Sequence, residues 1–187
     1  MFMFYLVKPL VLLLYPTKVE RVGEMADGAA IVCANHSTYI DPLLVGIALG
    51  IRKVFLRFMV KQELVKVPVL GAFLLSVGCF PVDRSYGIDA VRTSMRLLRA
   101  GETVMMFPEG TRVSTDDAVA AKDGAVRLAM RMGVPLVPIY ISRNKRVFRR
   151  VKLVVGEPYI IEKQEKPDYD ALSNELMEKI RMLGAEA

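Results

Sequence analysis

Short apolar runs alternate along the chain with longer segments in which apolar positions recur every three or four residues. The short runs are rich in Val, Ile and Phe, which is typical of buried strands. The longer segments are typical of amphipathic helices: in one of them Val91, Met95 and Leu98 share a face, and Gly101 ends the helix. The pattern predicts strands at 29–34, 54–60, 77–82, 103–107, 136–141 and 151–155, and helices at 42–49, 88–100, 122–131 and 169–183.

This order of elements predicts the fold class. Strands that alternate with helices favour an α/β fold, in which helices flank a mixed, largely parallel central sheet. The chain has 187 residues and contains no internal repeat, low-complexity tract or Gly/Ser-rich linker. We therefore expect a single domain over 1–187.

The N-terminal run 2–15 is apolar except for Lys8. As a helix it would reach about 21 Å, short of the roughly 30 Å hydrocarbon core of a bilayer, so it does not span unaided. Pro9 would kink it, and the charge pattern of a cleaved signal is missing. An interfacial anchor and a buried N-terminal helix are both consistent with the run; its aromatic ends favour an apolar interfacial helix. We expect 1–18 to associate with a membrane and 19–187 to form the core of the domain.

Composition points to the same partner. The chain carries 26 Lys and Arg against 20 Asp and Glu, a formal charge of +6, with a mean hydropathy of +0.33. An anionic membrane surface suits a protein that is both apolar and basic. Nucleic acid would match only the charge of the chain, which has no Trp and no basic stretch regularly interleaved with aromatic residues. We therefore expect no nucleic-acid partner.

The cysteines are Cys33 and Cys79, and nothing at the N-terminus resembles a cleaved signal, so a reducing cytosolic environment is expected. Both cysteines are predicted to be free thiols. Cys33 lies inside a predicted strand, and no GxSxG motif presents a serine. A covalent intermediate on the protein is therefore not indicated.

His36 is the only histidine, and it begins an HxxxxD pattern that ends at Asp41. The pair lies between a predicted strand and a predicted helix, where α/β enzymes place their chemistry. Five residues of separation bring the side chains together only if a turn intervenes. Asp41 would then hold one ring nitrogen as a donor, leaving the other to take a proton from a hydroxyl. The alternative is a loop histidine beside a helix-capping aspartate. One histidine does not build a common zinc site, and HExxH and paired CxxC motifs are missing, so no metal is predicted.

A second motif, FPEGTR at 107–112, follows the predicted strand 103–107. It combines a rigid Pro, a flexible Gly and one residue of each charge. Such a loop can present Arg112 and backbone N–H groups to an anion. It is equally consistent with a glycine turn that carries a surface ion pair.

Four sequence blocks together resemble the glycerolipid acyltransferase family, which includes the 1-acyl-glycerol-3-phosphate (lysophosphatidic acid) acyltransferases. The resemblance covers roughly residues 20 to 160, with one departure: Val113 stands where the family often has Ser. The blocks are NHSTYID at 35–41, GCFPVDR at 78–84, FPEGTR at 107–112 and VPLVPIYI at 134–141, with secondary matches KQEL at 61–64 and KDGA at 122–125.

The resemblance implies roles for particular residues. His36 would be the general base that deprotonates an acceptor hydroxyl, and Asp41 would orient and stabilise its ring. The guanidinium of Arg112 would bind the acceptor phosphate. The substrate-binding residues that the resemblance implies are Lys61, Arg84, Glu109, Gly110, Thr111 and Arg112.

The implied reaction moves a fatty acyl group from an acyl-CoA or acyl carrier protein thioester to the 2-hydroxyl of 1-acyl-glycerol-3-phosphate, giving phosphatidic acid. No cofactor is expected besides the thioester co-substrate. The expected location is the cytoplasmic face of the cell membrane, as a monotopic or peripheral protein. Glycerol-3-phosphate, another lysophospholipid or a lyso-aminolipid are alternative acceptors, and a non-catalytic lipid-binding module is an alternative from a different class.

Two further segments have open interpretations. The run 143–152 holds six basic residues and no acidic one. It is interpreted either as a solvated hairpin edge or as a surface for anionic lipid, the acidic acyl carrier protein or the phosphates of coenzyme A. The apolar run 64–75 is interpreted as plain core or, less favoured, as the lining of an acyl tunnel.

Overall fold

The computed structural model describes residues 2–23, 28–50, 56–82, 87–113 and 120–185. In these residues seven strands form one sheet. The strands are β1 (Thr17–Arg21), β2 (Ile31–Ala34), β3 (Leu56–Lys61), β4 (Cys79–Val82), β5 (Thr103–Met106), β6 (Leu136–Ile141) and β7 (Val151–Val155).

The order of strands across the sheet is β1-β7-β6-β2-β5-β3-β4. Every neighbouring pair is parallel except β6 and β7, which are antiparallel. The predicted mixed, largely parallel sheet flanked by helices is therefore confirmed. Parallel pairing has a consequence for function, because the carboxyl ends of β2, β3, β5 and β6 meet at one edge of the sheet.

Strand β1 was not predicted from the sequence. Its five residues, TKVER, contain one aliphatic side chain, so no apolar run marks it. It lies at the end of the sheet, where it pairs with β7, and charged edge strands of this kind are common. The predicted bounds of β6 and β7 are confirmed, whereas residues 54 and 55 of the predicted strand 54–60 lie outside the described residues.

Helices cover both faces of the sheet. The predicted helices 42–49, 88–100, 122–131 and 169–183 correspond to α2, α5, α6 and α7, with ends that differ by at most two residues. Two short helices, α3 and α4, were not predicted. The helices are α1 (Phe2–Leu14), α2 (Asp41–Leu49), α3 (Gln62–Val65), α4 (Leu70–Ser76), α5 (Gly87–Arg99), α6 (Gly124–Met132) and α7 (Tyr169–Ala185).

The core has two parts, one on each face of the sheet. Alternate residues of β2 point to opposite faces, so Val32 joins one cluster and Ile31 the other. Helices α1, α2 and α4 cover the first cluster, and α5, α6 and α7 cover the second. Each large side chain buried there contributes about 1.5–3 kcal/mol, so β2 is held firmly at the centre of the fold.

Helix α1 has two different sides. Phe4 and Val11 are buried in the first core cluster, whereas Leu6, Leu10 and Leu13 are more than half exposed. The helix continues through Pro9. Along the described chain, every helix is too short or too polar to cross a bilayer.

The run 64–75 is not the plain core that the sequence favours. No residue of α3 is buried, and Gly71 is the one buried residue of α4. Phe73 and Leu74 pack partly against the first core cluster. Most of the other apolar side chains are exposed, namely Leu64, Val67, Val69, Leu70 and Leu75.

Candidate active site

Three loops converge at the carboxyl edge of the sheet. Residues 35–40 follow β2, residues 107–113 follow β5, and residues 142–150 follow β6. Strands β5 and β6 flank β2 on either side. The HxxxxD block is therefore enclosed between the FPEGTR loop and the basic run 143–152.

His36 and Asp41 contact each other through the predicted turn. The Nδ1 atom of His36 lies 2.9 Å from Oδ2 of Asp41. The same oxygen accepts hydrogen bonds from the backbone N–H groups of Ser37 and Thr38, at 2.7 and 2.8 Å. These contacts close the turn and direct the carboxylate at the ring.

Asp41 is fully buried. Burial alone would raise the pKa of its carboxyl, but the hydrogen bond from His36 and the charge of Lys145 outweigh burial and hold that pKa well below its usual range. The N-terminus of α2, where Asp41 lies, also favours a negative charge. An ionised carboxylate only accepts hydrogen bonds, so Nδ1 of His36 must carry a proton. The other ring nitrogen, Nε2, is then the basic one.

The FPEGTR loop holds both the ring and the backbone of His36. The ring stacks on Phe107 with centroids 3.9 Å apart and planes 14° from parallel. The backbone N–H of Val113 donates to the carbonyl of His36 at 2.7 Å. The second motif therefore positions the residue that defines the first.

Glu109 lies inside the site and is 3% exposed. Its Oε2 accepts a hydrogen bond from the backbone N–H of His36 at 3.0 Å, and Arg143 forms an ion pair with its Oε1. Both oxygens therefore have donors from the protein itself. A contact between this carboxylate and an acceptor stays a prediction.

The basic run 143–152 is not one continuous surface. Arg143 and Lys145 turn inward, where they pair with Glu109 and Asp41. Lys152 lies on β7 and pairs with Glu20 of β1 at 2.8 Å. The hairpin formed by β6 and β7 does not lie at the edge of the sheet, because β1 pairs with β7 on its outer side. The basic side chains of the run that stay exposed are Arg146, Arg149 and Arg150.

The end of the FPEGTR loop faces outward. Gly110, Thr111 and Arg112 are exposed, and the guanidinium of Arg112 lies 3.7 Å from the ring centroid of Tyr39. Gly110 has φ of +67°, and a Cβ on it would lie 2.8 Å from Nζ of Lys122. The backbone angle favours glycine there, whereas the flexible end of the Lys122 side chain can move away from a Cβ.

The remaining two predicted substrate residues are less informative. Lys61 ends β3, at the same edge of the sheet as His36, with an exposed side chain. Arg84 lies outside the described residues. Their roles stay predictions, as does the expected lack of a metal: across the described ranges, no three His, Cys, Asp or Glu side chains are grouped to hold one.

Sequence reasoning missed several residues that build the site. Asn35 exchanges two hydrogen bonds with the backbone of Ile141, at 2.7 and 2.8 Å, and so ties the end of β2 to the end of β6. Phe107 and the inward pair Arg143 and Lys145 were also missed. The order of elements contains a signal for Arg143 and Lys145: both residues closely follow β6, a strand that pairs in parallel with β2.

The fold and the site define an α/β protein with a His–Asp pair and a nearby arginine at the carboxyl edge of its sheet. A family model for acyltransferases matches residues 16–142. The chain belongs to this acyltransferase family.

Several known proteins are similar to the chain. The 1-acyl-sn-glycerol-3-phosphate acyltransferase of Bacillus subtilis is 37% identical over 139 residues, which cover 71% of this chain and 68% of that protein. A chloroplastic protein of the same name from Arabidopsis thaliana is 28% identical over 71% of this chain but only 38% of its own length. The crystal structure of the 1-acyl-sn-glycerophosphate (LPA) acyltransferase PlsC from Thermotoga maritima has the same fold, with a TM-score of 0.69 at 20% identity over 98% of this chain and 94% of that one.

Proposed function

We propose that the protein transfers a fatty acyl group from an acyl thioester to the free 2-hydroxyl of 1-acyl-glycerol-3-phosphate, which gives phosphatidic acid. The observation that carries the proposal is the 2.9 Å contact between Nδ1 of His36 and Asp41, beside a loop that exposes Arg112. The names of the similar proteins from Bacillus subtilis and Arabidopsis thaliana support this acceptor.

His36 acts as a general base in this reaction. Its Nε2 takes the proton of the 2-hydroxyl while the hydroxyl oxygen attacks the thioester carbonyl. Asp41 stabilises the imidazolium that forms. When the tetrahedral intermediate collapses, the C–S bond breaks and the imidazolium returns the proton to the leaving sulfur, so an ester and a free thiol are produced.

Direct transfer without an acyl-enzyme fits the two cysteines. Both are free, as the sequence predicts, and both are buried. Burial raises the pKa of Cys33 well above its usual range and that of Cys79 to about 12. Neither thiol supplies a thiolate at neutral pH.

Arg112 binds the phosphate of the acceptor in this proposal. Its exposed guanidinium is held over Tyr39, three residues beyond His36, and a guanidinium matches the geometry of phosphate oxygens. Gly110 and Thr111 supply an exposed backbone beside it. Lys61 adds positive charge at the same edge of the sheet, and Glu109 contributes by holding His36 and Arg143. Arg84 is proposed as a further positive contributor because it belongs to the GCFPVDR block.

Acyl-CoA and acyl carrier protein are both candidate donors, and neither needs a metal or a redox cofactor. Thioester cleavage releases a stable thiol, so no further activation is required.

We infer that the enzyme works at the cytoplasmic face of the cell membrane. We define the lipid-facing surface as the exposed side of α1, the exposed apolar residues of α3 and α4, and the loop 146–150. This surface supports the proposed location. The backbone N–H of Phe148 donates to the carbonyl of Leu14 at 2.6 Å, so the loop adjoins the end of α1. Apolar side chains rimmed by arginines suit an anionic lipid surface.

The test is a transfer assay with purified protein and labelled acyl-CoA or acyl carrier protein thioester. The acceptor panel contains 1-acyl-glycerol-3-phosphate, glycerol-3-phosphate, lysophosphatidylcholine and a lyso-aminolipid. We expect transfer to 1-acyl-glycerol-3-phosphate to be fastest, and His36→Ala to lower kcat by about 10²–10⁴-fold. Preference for another acceptor would replace the substrate assignment. No transfer at all, or full activity in His36→Ala, would defeat the enzymatic proposal.

A further inference from the structure

A lysine from a distant part of the chain contacts the carboxylate that orients His36. The Nζ atom of Lys145 lies 2.9 Å from Oδ1 of Asp41, and its side chain is 1% exposed. It also donates to Oγ of Ser37 at 2.6 Å. Lys145 is therefore enclosed in the site, although it follows Asp41 by more than a hundred residues.

The two oxygens of Asp41 have separate sets of partners. Oδ2 faces the ring of His36 and the backbone of the turn. Oδ1 faces Lys145 and the hydroxyl of Thr38, which donates to it at 2.8 Å. Contacts on Oδ1 fix the rotation of the carboxylate and thereby keep Oδ2 directed at Nδ1.

A buried lysine also has an electrostatic effect. Removing an ammonium group from water carries a penalty that a counterion must offset. Here the counterion is the same carboxylate that stabilises the imidazolium form of His36. A positive charge on the far side of Asp41 therefore offsets part of the attraction between Asp41 and a protonated ring.

We propose that Lys145 is a positioning residue that acts through Asp41: it fixes the carboxylate and offsets its charge, which favours the neutral ring that a general base requires. The catalytic part of this inference rests on the proposed general-base function of His36. Lys145 itself touches neither the ring nor, in the proposed mechanism, the reacting atoms.

Other charged groups face the same turn. Glu109 binds the backbone of His36 but is paired with Arg143, so its charge is largely offset. Arg112 lies over Tyr39 at the exposed side of the turn. Neither group touches Asp41, so among the residues that the structure describes Lys145 is the cation placed to act through that carboxylate.

Because His36 is the only histidine, its ring can be titrated by NMR in the intact protein without assignment. The test compares wild type with Lys145→Met and with Lys145→Gln, which keeps a hydrogen-bond donor but removes the charge. The matched control is Lys179→Met, which breaks an exposed ion pair with Glu175 on α7. Thermal unfolding shows which variants are folded. A result from either folded neutral variant is sufficient to test the proposal.

Removing the positive charge favours the imidazolium, so the titration midpoint of His36 is expected to rise in both neutral variants. The acidic limb of the pH profile of kcat/KM should move upward by the same amount. Lys179→Met should leave both unchanged. A midpoint that stays at the wild-type position, or that falls, would overturn the proposal.

The readouts separate this inference from the proposed function. If the NMR midpoint rises but wild type transfers no acyl group, the electrostatic relationship stands and the enzymatic proposal fails. If the midpoint rises and the acidic limb does not follow, His36 is not the base that limits the reaction, and the catalytic part of the inference is overturned.

Discussion

The carboxylate of Glu109 accepts a hydrogen bond from the backbone N–H of His36, 73 residues earlier in the chain. Through this contact the third sequence block of the family holds the first. The other side of Glu109 pairs with Arg143, so one buried carboxylate joins the loops that follow β2, β5 and β6. The geometry of the site therefore depends on charge pairing between loops as well as on each motif.

Replacement of Glu109 by Gln tests this link. The substitution removes the negative charge that pairs with Arg143, and breaking a buried pair in this way is expected to lower the free energy of unfolding by about 3–5 kcal/mol. Urea denaturation measures the change. Glu63→Gln, on the exposed side of α3, is the control and should change stability by less than about 0.5 kcal/mol. An equally small effect of Glu109→Gln would show that the pair does not stabilise the fold.

Asp41 should make stability depend on pH in acid. Its pKa is held below the ordinary value in the folded state, whereas the unfolded chain binds the proton near pH 3.9. The stabilisation is therefore complete above about pH 5 and is lost as the pH falls through 3.9 toward the folded pKa. Unfolding midpoints in urea between pH 7 and pH 2.5 should fall less steeply in Asp41→Asn than in wild type. The exposed Asp170→Asn is the control, and an unchanged slope in Asp41→Asn would contradict the assignment.

Arg112→Ala should weaken binding of phosphorylated acceptors. A hydrogen bond to a charged group contributes about 1.5–3 kcal/mol, so KM for 1-acyl-glycerol-3-phosphate should rise about 10- to 100-fold while kcat changes little. Steady-state kinetics at saturating donor measures both constants. Arg96→Ala on α5 serves as the matched control, because its side chain is also exposed but belongs to the opposite face of the sheet from α1. If Arg112→Ala leaves KM unchanged, the phosphate role is wrong.

The two thiols should be inert in the folded protein. Burial raises the pKa of each, in Cys79 to about 12, so iodoacetamide at pH 8 should neither label them nor lower activity. Mass spectrometry should detect two added groups only after denaturation in guanidinium. Labelling of the native protein with a parallel loss of transfer would point to a cysteine in the mechanism and against direct transfer.

The exposed arginines of the loop 146–150 should contribute to membrane binding. Each basic residue near an anionic surface contributes about 1 kcal/mol, so the double reversal Arg146→Glu and Arg149→Glu should lower partition onto phosphatidylglycerol vesicles by more than about tenfold. Sedimentation with vesicles at low and high salt measures the effect. The control reverses Arg96 and Arg99 on the opposite face. Equal partition of the two double variants would show that this loop is not part of the lipid-facing surface.

Much of the fold is predictable from local sequence. The apolar runs that became β6 and β7 have the predicted bounds, and the four predicted helices are present, because a buried strand or an amphipathic helix requires a repeating pattern of its own residues. The contact between His36 and Asp41 was also predictable from the sequence, since it needs only a turn between two residues five positions apart. Strand β1 and helices α3 and α4 were not predictable in this way. A polar edge strand and short helices with exposed apolar residues lack the repeating pattern of buried positions.

By itself, the sequence determined the α/β class and located the HxxxxD and FPEGTR blocks at the ends of strands. Tertiary structure alone decided what the basic run does: Arg143 and Lys145 lie inside the site, while Arg146 and Arg149 are exposed. The physical reason is the order of the strands. β2 lies between β5 and β6, which brings three loops far apart in the chain to one edge of the sheet, and only there does a lysine in a basic run become the counterion of a buried aspartate.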